Sequence, residues 1–234
     1  MQRTDERDTK TRIADAISNL LTRHWKTLVI TFAGIMVVTV AAFAYFQIQE
    51  NRANEAARMA EELQEDYEAW QEAEEEERSS LEEAVQDSID ELVDRYGGTY
   101  AASRARMIRA EIHWEQEEWP AAAETYAGVA EEYRESHLAP VALLNASAAE
   151  EAEGNAEAAL GHVETLIERY GDGEPTPELA RALFTRGRMN EDLENYDIAA
   201  DAYNRLVEEH PESSWTNLAR NRIIALKTRG LIAE

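Results

Sequence analysis

The sequence predicts an all-α chain: one N-terminal transmembrane helix, then an α-solenoid of about four helix pairs, closed by a C-terminal capping helix. Three observations predict it. Residues 27–49 contain no charged side chain, in a chain of 234 residues that is 30% Asp, Glu, Lys and Arg. Residues 50–234 show few strand signals and abundant Ala, Glu, Leu and Arg at helical spacing. That part also matches itself at a fixed interval of small, aromatic and helix-ending residues.

Residues 1–26 come first, a short segment expected in the cytoplasm. It carries six basic groups (Arg3, Arg7, Lys10, Arg12, Arg23, Lys26) against four acidic ones, a net +2. Ile13, Ile17, Leu20, Leu21 and His24 recur at helical spacing and suit a short amphipathic stretch on the inner membrane face.

Residues 27–49 read TLVITFAGIMVVTVAAFAYFQIQ. As a helix the run is about 34 Å long, against a bilayer core of about 30 Å. Lys and Arg are denser before the run than after it, where Arg52 and Arg58 are diluted by Glu50, Glu55, Glu61, Glu62 and Glu65. The positive-inside rule then predicts a single-pass inner-membrane protein, with its N-terminus cytoplasmic and residues 50–234 periplasmic. Trp25, Tyr45 and Phe46 suit the two interfaces. Ala42-Phe43-Ala44 is a competing signal-peptidase pattern, but the run and the basic region before it are longer than a signal peptide needs. Gly34 has no small partner four residues away, so a glycine-based dimer face has no support.

The formal net charge is −25, so with +2 on residues 1–26 the rest carries −27. Such a domain repels nucleic acid. There is no cysteine, which excludes disulfides, thiol catalysis, Cys-ligated metals and a lipidated N-terminal cysteine. The five histidines show no metal-ligand spacing. The acidic run at Glu72 and Glu74–Glu77 lacks the turn residues of a calcium loop. No phosphate loop or nucleophile motif is present. No cofactor, no small-molecule substrate and no enzymatic activity are expected.

Four units are legible in residues 50–234. The last has Gly187, Ala199, Tyr203, Leu206 and Pro211. The third has Ser147, Ala159, Val163, Leu166 and Gly171. The second has Ala110, Ala122, Tyr126 and Val129. The first has Ala73, Val85, Ile89, Leu92 and Gly97. Each second helix ends on a ring: Tyr96, Tyr133, Tyr170 and His210. This spacing resembles the tetratricopeptide repeat, with a small residue at position 8, Ala at 20, an aromatic at 24, an apolar residue at 27 and Pro at 32. Small residues let two antiparallel helices approach closely, and Gly or Pro stops the second. The units run roughly 66–99, 103–136, 140–173 and 180–213, with a closing helix at 214–230. Ser80 and Glu83 suggest a capping box opening the second helix of the first unit. Ahead of it, Ala56, Met59, Leu63, Tyr67 and Trp70 step by three and four. They suit either continuation of the membrane helix into the first repeat helix or a dimeric coiled-coil stalk over 50–78.

Repeats of this kind offer a concave surface lined by the first helix of each pair. The lining positions are Arg104, Met107, Glu111 and Trp114; Val141, Leu144, Ala148 and Glu151; and Arg181, Phe184, Arg188 and Glu191. Arg104, Met107, Trp114, Leu144, Arg181, Phe184 and Arg188 are the candidate partner-binding residues. Arginine can hold a carboxylate through two hydrogen bonds, and the apolar groups can receive apolar side chains. The competing reading gives these arginines to salt bridges between helices.

The layout over nearly the whole chain resembles the ancillary subunit family of the bacterial Sec translocon. The most specific local stretches are Thr99-Tyr100-Ala101-Ala102-Ser103-Arg104-Ala105 and Trp119-Pro120-Ala121-Ala122. The resemblance implies an adaptor contacting the translocon and a membrane-anchored periplasmic chaperone, assisting secreted or periplasmic proteins. The alternative is a scaffold or assembly subunit for envelope, division or other transport machinery.

Overall fold

The computed structural model describes residues 3–173 and 176–233, with side chains from Trp25 onward except those of Leu28 and Glu75. Among the described residues it holds nine α-helices and no strand. The expected amphipathic stretch over Ile13, Ile17, Leu20, Leu21 and His24 lies outside the described side chains, as does part of the loop at 171–178. The chain divides into two compact units, Met1–Asn54 and Glu55–Glu234.

In the first unit, helix α1 (Arg3–Glu72) begins. Its apolar side chains face outward with no protein over them: Ile30, Phe32, Phe43 and Phe46 are between 69% and 72% exposed. The Thr39 hydroxyl donates to the Ile35 carbonyl at 2.9 Å, so its polar group is satisfied within the helix. Among the described residues this is the one helix long and apolar enough to cross a membrane.

The second unit opens with the α1 residues from Glu55 on, paired with α2 (Glu75–Tyr96). Then come α3 (Tyr100–Glu115) with α4 (Trp119–Glu132), α5 (Leu138–Glu153) with α6 (Ala156–Tyr170), and α7 (Pro177–Asp192) with α8 (Tyr196–Glu209). The helix α9 (Ser214–Thr228) closes the series. From α2 onward each helix packs on its chain neighbour, and α3, α5, α7 and α9 also touch in succession. This is the stacking of an α-solenoid.

Of the expected stripe, Ala56, Leu63, Tyr67 and Trp70 are at most 5% exposed within this unit and Met59 is half-buried against the core. Their stripe is therefore spent on the core of this unit, and the coiled-coil stalk is not formed by it. Tyr96 bonds Glu55 at 3.0 Å across that hairpin.

Ala73 is not the small residue inside a helix: α1 ends at Glu72 and Ala73 lies in the reversal before α2. The reversal uses neither Gly nor Pro. Instead Arg78 covers the buried Trp70 ring at 5.2 Å and donates to the Gln71 carbonyl at 3.1 Å. Ser80 does not cap α2, which starts five residues earlier; its hydroxyl donates to the Glu77 carbonyl at 2.9 Å.

The three later pairs share one construction. An oxygen of Thr99, Ser136 or Thr176 accepts a backbone N–H in the first turn of α3, α5 and α7, and Ser213 does the same for α9. Each first helix then closes with a residue at positive φ: Glu117 at 59°, Gly154 at 93° and Glu194 at 61°. The next N–H reaches back five residues, Glu118 to His113, Asn155 to Glu150 and Asn195 to Asn190, at 2.8–2.9 Å. Eleven residues after each capping oxygen stand Ala110, Ser147 and Gly187, all buried. Gly187 shows why: a Cβ there would lie 2.3 Å from the Tyr203 ring.

Candidate functional site

Four of the seven candidate residues meet in one cleft between α5, α7 and α9. Leu144, Arg181, Phe184 and Arg188 line it with Ala148, Glu151 and Trp215, around a volume of about 190 Å³. Leu144 contributes little surface, being 5% exposed. The Phe184 ring lies between the rings of Tyr203 and Trp215, with centroids 5.7 and 5.1 Å away. One wall of the cleft is thus aromatic.

The two arginines of the cleft differ. Arg188 donates to both carboxylate oxygens of Glu151 at 2.7 and 2.8 Å, bridging α7 to α5. Arg181 is exposed and makes no ion pair or hydrogen bond among the described residues. Arg188 thus follows the salt-bridge reading, and Arg181 does not share that arrangement. Ser147, 2% exposed, lines the same cleft with a hydroxyl that lacks a hydrogen-bond partner.

The other three candidates sit apart on α3. Arg104 donates to Gln64 of α1 at 2.9 Å. Met107 is 7% exposed and belongs to the core. Trp114 packs edge-on to Trp119, centroids 4.9 Å apart. Between them Glu111 is half-buried beside Tyr67; burial pushes its carboxyl above the usual carboxylate range, against the opposing pull of the Tyr67 hydrogen bond and of Arg104. The same burial, with the Glu111 charge, raises the Tyr67 phenol.

Glu191 is not on the cleft wall. It is 8% exposed and lies behind it. Its carboxylate accepts from the Tyr203 hydroxyl at 2.7 Å and from Arg222 Nε at 2.8 Å, with a second bond from the Arg222 guanidinium. Burial works to raise this carboxyl, but the bonds from Arg222 and Tyr203 outweigh it and hold it below its ordinary value. This ion pair ties α7, α8 and α9 together, so the back of the cleft is fixed.

Trp215 was missed by sequence reasoning, because the repeat template assigns lining positions only to complete pairs. A signal was present: a tryptophan two residues after a helix-capping serine, on a closing helix otherwise rich in polar residues. A larger hollow of about 760 Å³ lies between the start of α3 and the segment after α4, beside Tyr100, Tyr133 and His137. None of the candidate residues lines it, and Glu131, Glu132 and Glu135 do. Among the described residues no group of His, Asp or Glu is placed to hold a metal ion.

Residues 21–170, more than half of the chain, match the family model described as tetratricopeptide repeat-like domain. The chain belongs to this tetratricopeptide repeat-like family. A second model, tetratricopeptide repeat, matches residues 144–214, the α5–α8 part of this tetratricopeptide-repeat chain. A "TPR repeat-containing protein" of Treponema pallidum (strain Nichols) is 33% identical over 136 residues, 58% of this chain. The chain spans about half of that relative's length, 54%. Among solved structures, the crystal structure of BtubC (BKLC) from P. vanneervenii aligns with a TM-score of 0.45 and 13% identity, covering 79% of this chain and 93% of that one. Repeats of this family are protein-interaction scaffolds, and neither matching model is an enzyme family.

Proposed function

We propose that this protein is a membrane-anchored adaptor of the bacterial envelope, which grips a segment of another protein in the cleft between α5, α7 and α9. The observation that carries the reading is an aromatic wall, Phe184 and Trp215, beside the exposed guanidinium of Arg181, which has no ion-pair partner among the described residues. A partner segment offering a large apolar side chain beside a carboxylate fits that pair. Its apolar group gains from leaving water, and the guanidinium gives direction.

The anchor is α1. Its uncharged run of about 34 Å with outward apolar side chains needs a covering, and a bilayer core of about 30 Å has the matching thickness. The excess of Lys and Arg ahead of the run supports a cytoplasmic N-terminus and a periplasmic repeat domain. The seventy-residue α1 contains both that run and the first core residues, and the family match beginning at residue 21 takes in the run as well.

The resemblance to the ancillary subunits of the Sec translocon makes that translocon, with a membrane-anchored periplasmic chaperone, the partner we put first. Chemical crosslinking in native membranes followed by mass spectrometry tests it. Translocon and chaperone peptides joined to residues 138–228 are expected. Their absence, with peptides of division or other transport machinery in their place, overturns the Sec assignment while leaving the adaptor reading standing.

A further inference from the structure

The closing helix α9 occupies the place of a first helix in a fifth pair. Its cap Ser213 corresponds to Thr99, Ser136 and Thr176, and eleven residues on stands Ile224, where the complete pairs have Ala110, Ser147 and Gly187. Those small residues are buried, and Gly187 is covered by Tyr203 of the second helix of its own pair. Ile224 is 62% exposed, and Leu218 on the same helix is 46% exposed. Among the described residues no helix lies on this face. A side chain as large as isoleucine also prevents the close approach that Gly187 gives Tyr203. A conventional second helix is therefore a poor match for the face.

The charge on α9 is the reverse of the rest of the molecule. Residues 213–233 hold Arg220, Arg222, Lys227 and Arg229 and no acidic residue, in a chain of net charge −25. Arg222 is committed to Glu191, while among the described residues Arg220 bonds only Asn217 of its own helix, at 3.4 Å, and Lys227 is exposed. At the opposite end of the series, residues 55–96 hold 17 acidic and 3 basic residues, a net −14. Glu61, Glu65 and Glu68 of α1 and Glu83, Asp87 and Asp94 of α2 are exposed there.

We propose that the basic, apolar-tipped face of α9 docks on the acidic α1–α2 hairpin of a second copy of this chain, continuing the helical series from one molecule to the next. The contact is head-to-tail, so each copy keeps one free end and the association grows with concentration rather than stopping at a closed dimer. Like net charges oppose it at long range. At about 0.15 M salt that repulsion is screened beyond about 8 Å, while charges in contact are screened less.

The test uses the full-length protein in mild detergent at 0.15 M salt, followed by sedimentation velocity. The expected result is a concentration-dependent ladder of dimers and higher species. Arg220→Glu with Lys227→Glu should leave a monomer of unchanged helicity, and Glu83→Lys with Asp87→Lys should do the same. Mixing the two variants should restore dimers, because each then offers one intact end or a matching reversed pair. A wild-type protein that stays monomeric at all concentrations overturns the proposal. So does a mixture that fails to pair, and so does unchanged association of the α9 variant.

Discussion

Replacing Gly187 by alanine reverses the usual rule for a helical glycine. In an exposed helix interior that change stabilises by about 1 kcal/mol, because alanine has the higher helix propensity. At position 187 the new Cβ would stand 2.3, 2.6 and 2.7 Å from three carbons of the Tyr203 ring. Carbon atoms settle at about 3.5–4.0 Å, so the ring must move by about 1 Å. It has little room to move: Tyr203 is fully buried, its hydroxyl is tied to Glu191 at 2.7 Å and its ring also packs against Phe184. Overpacking of this kind costs about 1–3 kcal/mol, and the contact here is severe enough for the upper end. Less the propensity gain, the net loss is about 2 kcal/mol, a fall of about 4–8 °C in Tm for a domain of this size. Gly161→Ala and Gly128→Ala are internal controls, since a Cβ at either meets nothing within 4 Å. Urea unfolding followed by far-ultraviolet circular dichroism reads all three. A Gly187→Ala protein as stable as Gly161→Ala would refute the close approach of α7 to α8.

Other expectations follow from the same geometry. Glu191 has a folded pKa below its unfolded value, so its contribution is present above the unfolded pKa and is lost as pH falls through the folded one. Glu191→Gln should therefore destabilise at neutral pH and flatten the acid limb of a pH–stability curve below about pH 4.5. Glu111 has the opposite sign: its folded pKa is raised, so the folded state is favoured while it is protonated and loses that advantage as pH rises. Glu111→Gln should raise stability at pH 7 and change it little at pH 4, measured by the same urea series. Glu194 is held at φ 61°, where a residue with a Cβ is strained by about 1–2 kcal/mol, so Glu194→Gly should stabilise by about 1 kcal/mol in thermal melts. Arg181→Glu should weaken capture of the partner from detergent extracts by at least about tenfold with no change in Tm, since Arg181 supports no other side chain among the described residues.

The repeat was legible because close packing leaves a periodic mark. Ala110, Ala122, Tyr126 and Val129, with their counterparts in the next two pairs, are all buried as their spacing requires. The first pair was harder to place. Its reversal at Ala73 rests on Arg78 folding over Trp70, a tertiary contact without a Gly or Pro signal. The αL turns show the same limit, since Gly154 announces itself and Glu117 and Glu194 do not. At the candidate site the template found the arginines but not their partners. It could not tell Arg188, clamped by Glu151, from Arg181, which has no partner among the described residues, and it put Glu191 on the surface although Arg222 draws it inward. Trp215 enters the cleft only because α9 stacks beside α7, a contact that spacing within one pair does not encode.

The most direct test of the central claim is site-specific photo-crosslinking in living cells, with the photoreactive residue placed in turn at Thr185 inside the cleft and at Gly161 on α6, away from it. Discrete protein adducts are expected from position 185, diminished by Arg181→Glu, and none from position 161. Equal adducts from both positions, or adducts from 161 alone, would contradict the claim.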